Sequence, residues 1–153
     1  MNDFFYKKVI AYQKAKALAV YVYTLIRKFP SFEQYALCDQ LRRAMISIPS
    51  NIAEGLGRMA IKERIHFLEI SYGSLTEVSC QLDIAQSLGY ITEEELSYTE
   101  SQLLEIGRLL SGLRKSLIDK NTPSTNPEWA SDQRPKEDRE KVYMLPKSYQ
   151  ILR

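Results

Sequence analysis

From residue 11 to residue 117 the apolar side chains recur at intervals of three and four, the spacing that gathers them on one side of an α-helix. Ala11, Ala15, Leu18, Val22, Leu25 and Phe29 form the first line, with Tyr12, Ala19 and Ile26 beside it, and together they predict a core-facing helix. Pro30 is expected to stop it, because proline disfavours helical geometry at the residue before it. Ser31 with Gln34 then reads as a capping box opening a second helix. Its stripe is Cys38, Leu41, Met45, Ile48, Ile52 and Leu56, with a left-handed glycine turn expected at Gly55 to Gly57. A third helix is predicted over about residues 61 to 88, with Ile61, Ile65, Leu68, Tyr72, Leu75, Ser79 and Leu82 inward and Gly89 as its stop. Ser71, Gly73, Ser74 and Ser79 along it are small enough for a neighbouring backbone to come close. The fourth helix starts at a capping box of Thr92 and Glu95 with Ile91 and Leu96 as a hydrophobic staple. Its stripe is Leu96, Thr99, Leu103, Ile106, Leu110, Leu113 and Leu117.

Four amphipathic helices joined by short turns predict an all-α, antiparallel up-down-up-down four-helix bundle over residues 1–118. Alternating-strand patterns are absent. Residues 119–153 hold Pro123, Pro127, Pro135 and Pro146 among charges, the composition of a disordered or loosely docked C-terminal tail. Its apolar end, "VYMLPKSYQIL" at 142 to 152, reads either as a short docking motif or as a collapsed terminus.

"SIPSNIAEGLGR" at 47 to 58 concentrates helix breakers inside the second helix. Pro49 removes the amide that would bond the Met45 carbonyl and presses its ring on that turn, so a kink or short break is expected. Ser47, Ser50 and Asn51 are suited to bond the freed backbone groups. Asn51 and Glu54 are assigned structural roles around the break, with Gly55 as the exit.

Composition fits one ordinary domain: 153 residues, 44% hydrophobic and 26% charged. No apolar run approaches the roughly 20 residues of a membrane span, and the amino terminus lacks the order of a secretory signal. A cytoplasmic protein without membrane contact is expected. Cys38 and Cys80 have no metal-ligand spacing and are expected as reduced thiols, at least partly buried. The net charge of +2 hides a division. Residues 1 to 64 carry 11 Lys and Arg against 5 acids, whereas 65 to 107 carry 8 acids and no Lys or Arg. Such a dipolar surface suits either a polyanion or another copy of the same chain, basic part to acidic part.

An enzyme needs a positioned acid, base, nucleophile or metal. His66 is the only histidine, no Ser-His-Asp or Cys-His grouping is suggested, and "AEGLGR" at 53 to 58 follows a helix and lacks the phosphate-loop lysine. Glu63, Glu69 and Glu77 lack the Glu-x-x-His partners of a bundle metal site and read as surface charge. No catalysis and no cofactor are expected. Phosphate contacts by Arg42, Arg43, Arg58, Lys62 and Arg64 near the second turn, with Lys14 and Lys16 on the first helix, form the leading binding hypothesis. Against it, Arg42 has Glu54, Glu69 or an acid of an adjacent subunit as alternatives, Arg43 has Asp39, and the lysines have solvent. Tyr21 and Tyr23 point off the main stripe and suggest self-association more than base stacking.

"LRRAMISIPSNIAEGLGR" at 41 to 58, with "FP" at 29 to 30, "KERIHFLEISYGSLTEV" at 62 to 78 and "LGYI" at 88 to 91, closely resembles the four-helix-bundle proteins encoded in intervening sequences of bacterial 23S ribosomal RNA genes. The resemblance covers about residues 9 to 118. A more distant likeness is to the accessory variability protein of diversity-generating retroelements. The resemblance implies a ring of bundles, a homopentamer, and in the retroelement relative a basic surface for nucleic acid and a reverse transcriptase. Ala60 stands where the family has a capping serine, so the third helix should start less firmly. The alternative reading is an oligomeric protein–protein scaffold with no nucleic-acid role.

Overall fold

A computed structural model describes residues 4–121, which form four α-helices in up-down-up-down order with no strand among them. Helix α1 is Ile10–Ile26, α2 Leu37–Gly57, α3 Ile61–Ser87 and α4 Glu93–Asn121. A short 3-10 turn, Phe5–Lys8, precedes α1 and packs on α1 and α2. Each helix touches its two neighbours around a square, and the α2–α3 contact is the most extensive. Residues 122–153, with the apolar segment at 142 to 152, lie outside the described residues.

The predicted stripes meet in one core. Val22, Leu41, Met45, Ile48, Ile52, Val78, Leu82 and Ile106 are all buried. On α3 the buried line runs through Leu68, Ser71, Leu75, Val78, Leu82 and Ala85, while Ile61, Ile65, Tyr72 and Ser79 lie half-buried at its flank. Burial there straddles two neighbours, α2 and α4, which shifts it from the single line the spacing suggested.

The two predicted capping boxes part ways. At α4 the Thr92 amide donates to Glu95 Oε2 at 2.9 Å and the Glu95 amide to Thr92 Oγ1 at 3.1 Å, satisfying two orphan donors reciprocally. Ile91 is buried and Leu96 packs on the core beside it. At the other site Ser31–Glu33 winds as a 3-10 turn without a side-chain cap, and α2 begins only at Leu37. Glu33 takes over the work expected of Ser31 and Gln34. Its Oε2 accepts the Leu37 amide at 3.2 Å and its Oε1 the Tyr90 hydroxyl at 3.0 Å, tying this turn to the α3–α4 turn. Burial and this carboxylate push the Tyr90 hydroxyl pKa up.

Glycine stops follow the same division. Gly89 has φ +77°, and the bonds from Tyr90 N to Ala85 O and from Gly89 N to Gln86 O complete a Schellman motif. Neither Gly55 nor Gly57 is left-handed, since Gly89 is the only described residue with positive φ. Gly55 is instead a close approach: a Cβ there would lie 2.9 Å from Phe67 Cβ and 3.2 Å from the Arg64 carbonyl oxygen. Ala60 caps α3 without any side-chain bond, as its lack of a hydroxyl requires.

Candidate interaction surfaces

Helix α2 runs unbroken through Pro49, so of the kink or short break expected there the break does not occur. Of the side chains suited to repair it, Ser47 reaches α3, Asn51 bonds back to Ser47 within α2, and Ser50 lines the groove between α1 and α2. Asn51 Nδ2 donates to both the carbonyl and the hydroxyl of Ser47 at 2.8 Å, and Ser47 Oγ lies 2.7 Å from Ser74 Oγ on α3. Ser74 donates to the Ile70 carbonyl at 3.1 Å, and having one proton it must accept from Ser47. Ser71, buried, donates to the Ile48 carbonyl at 2.9 Å. Two of the small residues of α3, Ser71 and Ser74, thus fasten it to α2. Gly73 does not, being exposed with nothing within 4 Å of the position a Cβ would take.

The opposite side of α2 is open. Between it and α1 lies a groove of about 800 Å³, floored by Ala19, Pro49 and Ala53 and walled by Tyr12, Val20, Tyr23 and Ile46. Val20 is 64% exposed and Ile46 45%, which marks a connected apolar surface rather than scattered side chains. Lys16 and Arg27 stand on its wall, and no carboxylate lines it. On α1 the residues Lys16, Val20, Tyr23 and Arg27 are spaced four, three, four, a second helical line that the core stripe overshadows.

The predicted phosphate ligands do not form one free patch. Arg43 Nε bonds Asp39 at 3.0 Å, the alternative foreseen for it. Arg42 turns to neither Glu54 nor Glu69 but to Gln34, donating to Oε1 at 2.9 Å and to the carbonyl at 3.4 Å, because the late start of α2 leaves that turn within its reach. Arg58 pairs with Glu54 one turn back while its guanidinium lies 4.8 Å from the Phe67 ring centre. Arg64 Nε donates to the Arg58 carbonyl at 2.6 Å. Lys14 reaches across to Glu105 of α4 at 2.9 Å. Of the seven, Lys16 and Lys62 make no ion pair or hydrogen bond with the described residues, and Arg64 bonds only a backbone carbonyl. Part of the charge division is therefore neutralised within the bundle, by Lys14 on Glu105 and Lys28 on Glu95, and Arg114 takes Glu69 at 3.0 Å.

Tyr21 and Tyr23 also separate. Tyr21 is half-buried against Tyr98 of α4, ring centres 4.9 Å apart, since its place on α1 looks into the α1–α4 seam. Burial there, helped by Glu95, pushes its hydroxyl pKa up. Tyr23 faces the groove. Cys38 is buried, which pushes its thiol pKa up, whereas Cys80 is exposed on α3, against the expectation of partial burial. His66 is exposed beside the Phe67 ring. Among the described residues no His, Cys, Asp and Glu side chains gather as a metal site, and no helix is long and apolar enough to cross a membrane.

These features define the class: an all-helical four-helix bundle, fastened along α2–α3 and open along α1–α2. The chain belongs to the 23S rRNA-intervening sequence protein family, which matches residues 7–112. A crystal structure of a protein of unknown function from the S23 ribosomal protein family of Bacteroides thetaiotaomicron is similar in fold, with TM-score 0.64 and 25% identity. The match covers 69% of this chain and 99% of that one. No curated protein matches the chain.

Proposed function

We propose that the protein is a non-enzymatic assembly module of the cytoplasm, a bundle that associates with further copies of itself through the α1–α2 groove. The homopentamer implied by the family resemblance is the expected size. The groove carries this reading. Exposed Val20, Tyr23 and Ile46 form an apolar centre, and Lys16 and Arg27 supply a charged rim, the anatomy of a protein–protein contact. Light scattering on the full chain should give a mass several times 17.7 kDa at tens of micromolar. Val20→Glu and Ile46→Glu, which bury a carboxylate in that contact, should return it to one chain. A wild type that stays monomeric at high concentration overturns the reading.

A second reading, contact with structured RNA, draws on cations that have no carboxylate partner among the described residues, Lys16, Arg27 and Lys62 among them. Arg58 and Arg64 stand near Lys62 in sequence and add to it. Phosphate contacts of this kind weaken steeply with salt, each contributing about −0.9 to the slope of log K against log salt on a duplex. Lys62→Ala should lower that slope by about one contact. A salt-independent affinity, or none at low salt, removes this reading and leaves the scaffold. A reverse transcriptase enters as a protein partner only through the distant retroelement likeness.

A further inference from the structure

We infer that the surface entering the α1–α2 groove is the outer ridge of α3 on the next copy, Ile70, Gly73, Glu77, Cys80 and Ile84. The inference rests on the groove being a contact between copies and adds the face that fills it.

Helix α3 carries two stripes where an ordinary surface helix carries one. The inner one, from Leu68 to Ala85, is buried against α2 and α4. The outer one is spaced three, four, three, four, so its members share a face, and all are exposed. Ile70 is 37% exposed and Ile84 46%, with Leu88 at 53% just beyond the helix end. A solvent face of a solitary bundle has little use for two isoleucines and a thiol in register.

Gly73 sharpens the point. Mid-helix glycine costs roughly 1 kcal/mol against alanine, and neither a left-handed turn nor a close neighbour inside the chain requires it here. On an outer ridge it lets a foreign backbone approach.

The charges are complementary as well. The groove presents Lys16 and Arg27 and no acid. Residues 65 to 107 contain no Lys or Arg at all, and along the ridge Glu77 has only the neutral Gln81 amide, at 3.0 Å, while Asp83 adjoins Ile84. The lengths match to within one helical turn: Lys16 to Arg27 spans about 17 Å of helix and Ile70 to Ile84 about 21 Å. Groove and ridge are different surfaces of one chain, so the contact is head-to-tail, each copy giving its groove to one neighbour and its ridge to another. Rings are built from such contacts when the rotation closes.

Complementation tests this directly. Val20→Glu breaks the groove and Ile84→Lys the ridge, and both sites are exposed, so helical circular dichroism and thermal unfolding should match wild type. Each variant alone should be monomeric by light scattering. Mixed one to one they should form a dimer of about twice 17.7 kDa and nothing larger, because the mixture holds one intact groove and one intact ridge. If Ile84→Lys and Gly73→Glu keep the wild-type mass while Val20→Glu does not, the ridge assignment falls and self-association through the groove survives. If both variants are monomeric but the mixture does not dimerise, the head-to-tail pairing is wrong. A monomeric wild type ends both readings together.

Discussion

Against α3, helix α2 presents the Ile48 carbonyl to the Ser71 hydroxyl, links Ser47 to Ser74, and brings Gly55 so near Phe67 that no Cβ fits. Against α1, two residues before Ile48, it leaves Ile46 standing 45% exposed over open space. One helix thus has a fastened side and an unfilled side, and the proline lies between them: Pro49 is buried yet lines the groove. The difference teaches that the breaker-rich stretch is placed by packing. Ser47 and Asn51 serve the α3 side, Pro49 and Ser50 the groove.

The sharpest way to break this comparison is truncation on both sides. Ile48→Ala should cost about 2 to 5 kcal/mol in urea unfolding, the transfer and cavity cost of a fully buried isoleucine. Ile46→Ala, placed in a Val20→Glu background to remove assembly, should stay within about 0.5 kcal/mol. Equal costs would mean that the groove is filled within a single chain. The two glycines give the next largest contrast. Gly55→Val must move Phe67 or the α3 backbone and should cost about 1 to 3 kcal/mol. Gly57→Ala meets nothing within 4 Å and should be neutral or stabilise by up to about 1 kcal/mol. Ser71→Ala comes below both, at about 1 kcal/mol, since it removes one buried hydroxyl bond to a carbonyl still within the helix.

The helices were legible because each repeats a three-four spacing over several turns, and the Thr92–Glu95 box because both of its bonds are local to four residues. The Ser31–Gln34 box has the same local signal and failed. What decides that turn is Tyr90, 57 positions away, whose hydroxyl holds Glu33 where its other oxygen can take the Leu37 amide. Gly55 departs from the expected left-handed turn for a similar reason, since such a turn is a local property and a 2.9 Å approach to Phe67 is a tertiary one. The candidate surface was least legible. Counting cations found Arg42, Arg43 and Arg58, and helical spacing gave Arg43 its Asp39, but not Arg42 its Gln34 or Arg58 its Glu54, and the line Lys16, Val20, Tyr23, Arg27 lies on a helix already explained by its core stripe.

The smallest effect tests the fastened end of the bundle by pH. Glu95 accepts from Lys28 and from the Thr92 amide, and these bonds, Lys28 first, hold its carboxyl pKa below the ordinary range despite partial burial. A group with a depressed folded pKa contributes stability that is present above its unfolded value, near 4.3, and is lost as pH falls through the folded one. Lys28 is 46% exposed, so solvent screens the pair and its worth is about 0.2 to 1 kcal/mol. Glu95→Gln keeps an acceptor for the Thr92 amide, as glutamine does in capping boxes, and removes only the charge. Wild type should therefore exceed Glu95→Gln in unfolding free energy at pH 6, with the gap closing between pH 5 and pH 3. A gap that stays constant with pH would mean that the pairing of Lys28 with Glu95 contributes nothing, leaving the Thr92 box, Ile91 and the Tyr90–Glu33 bond to hold that end.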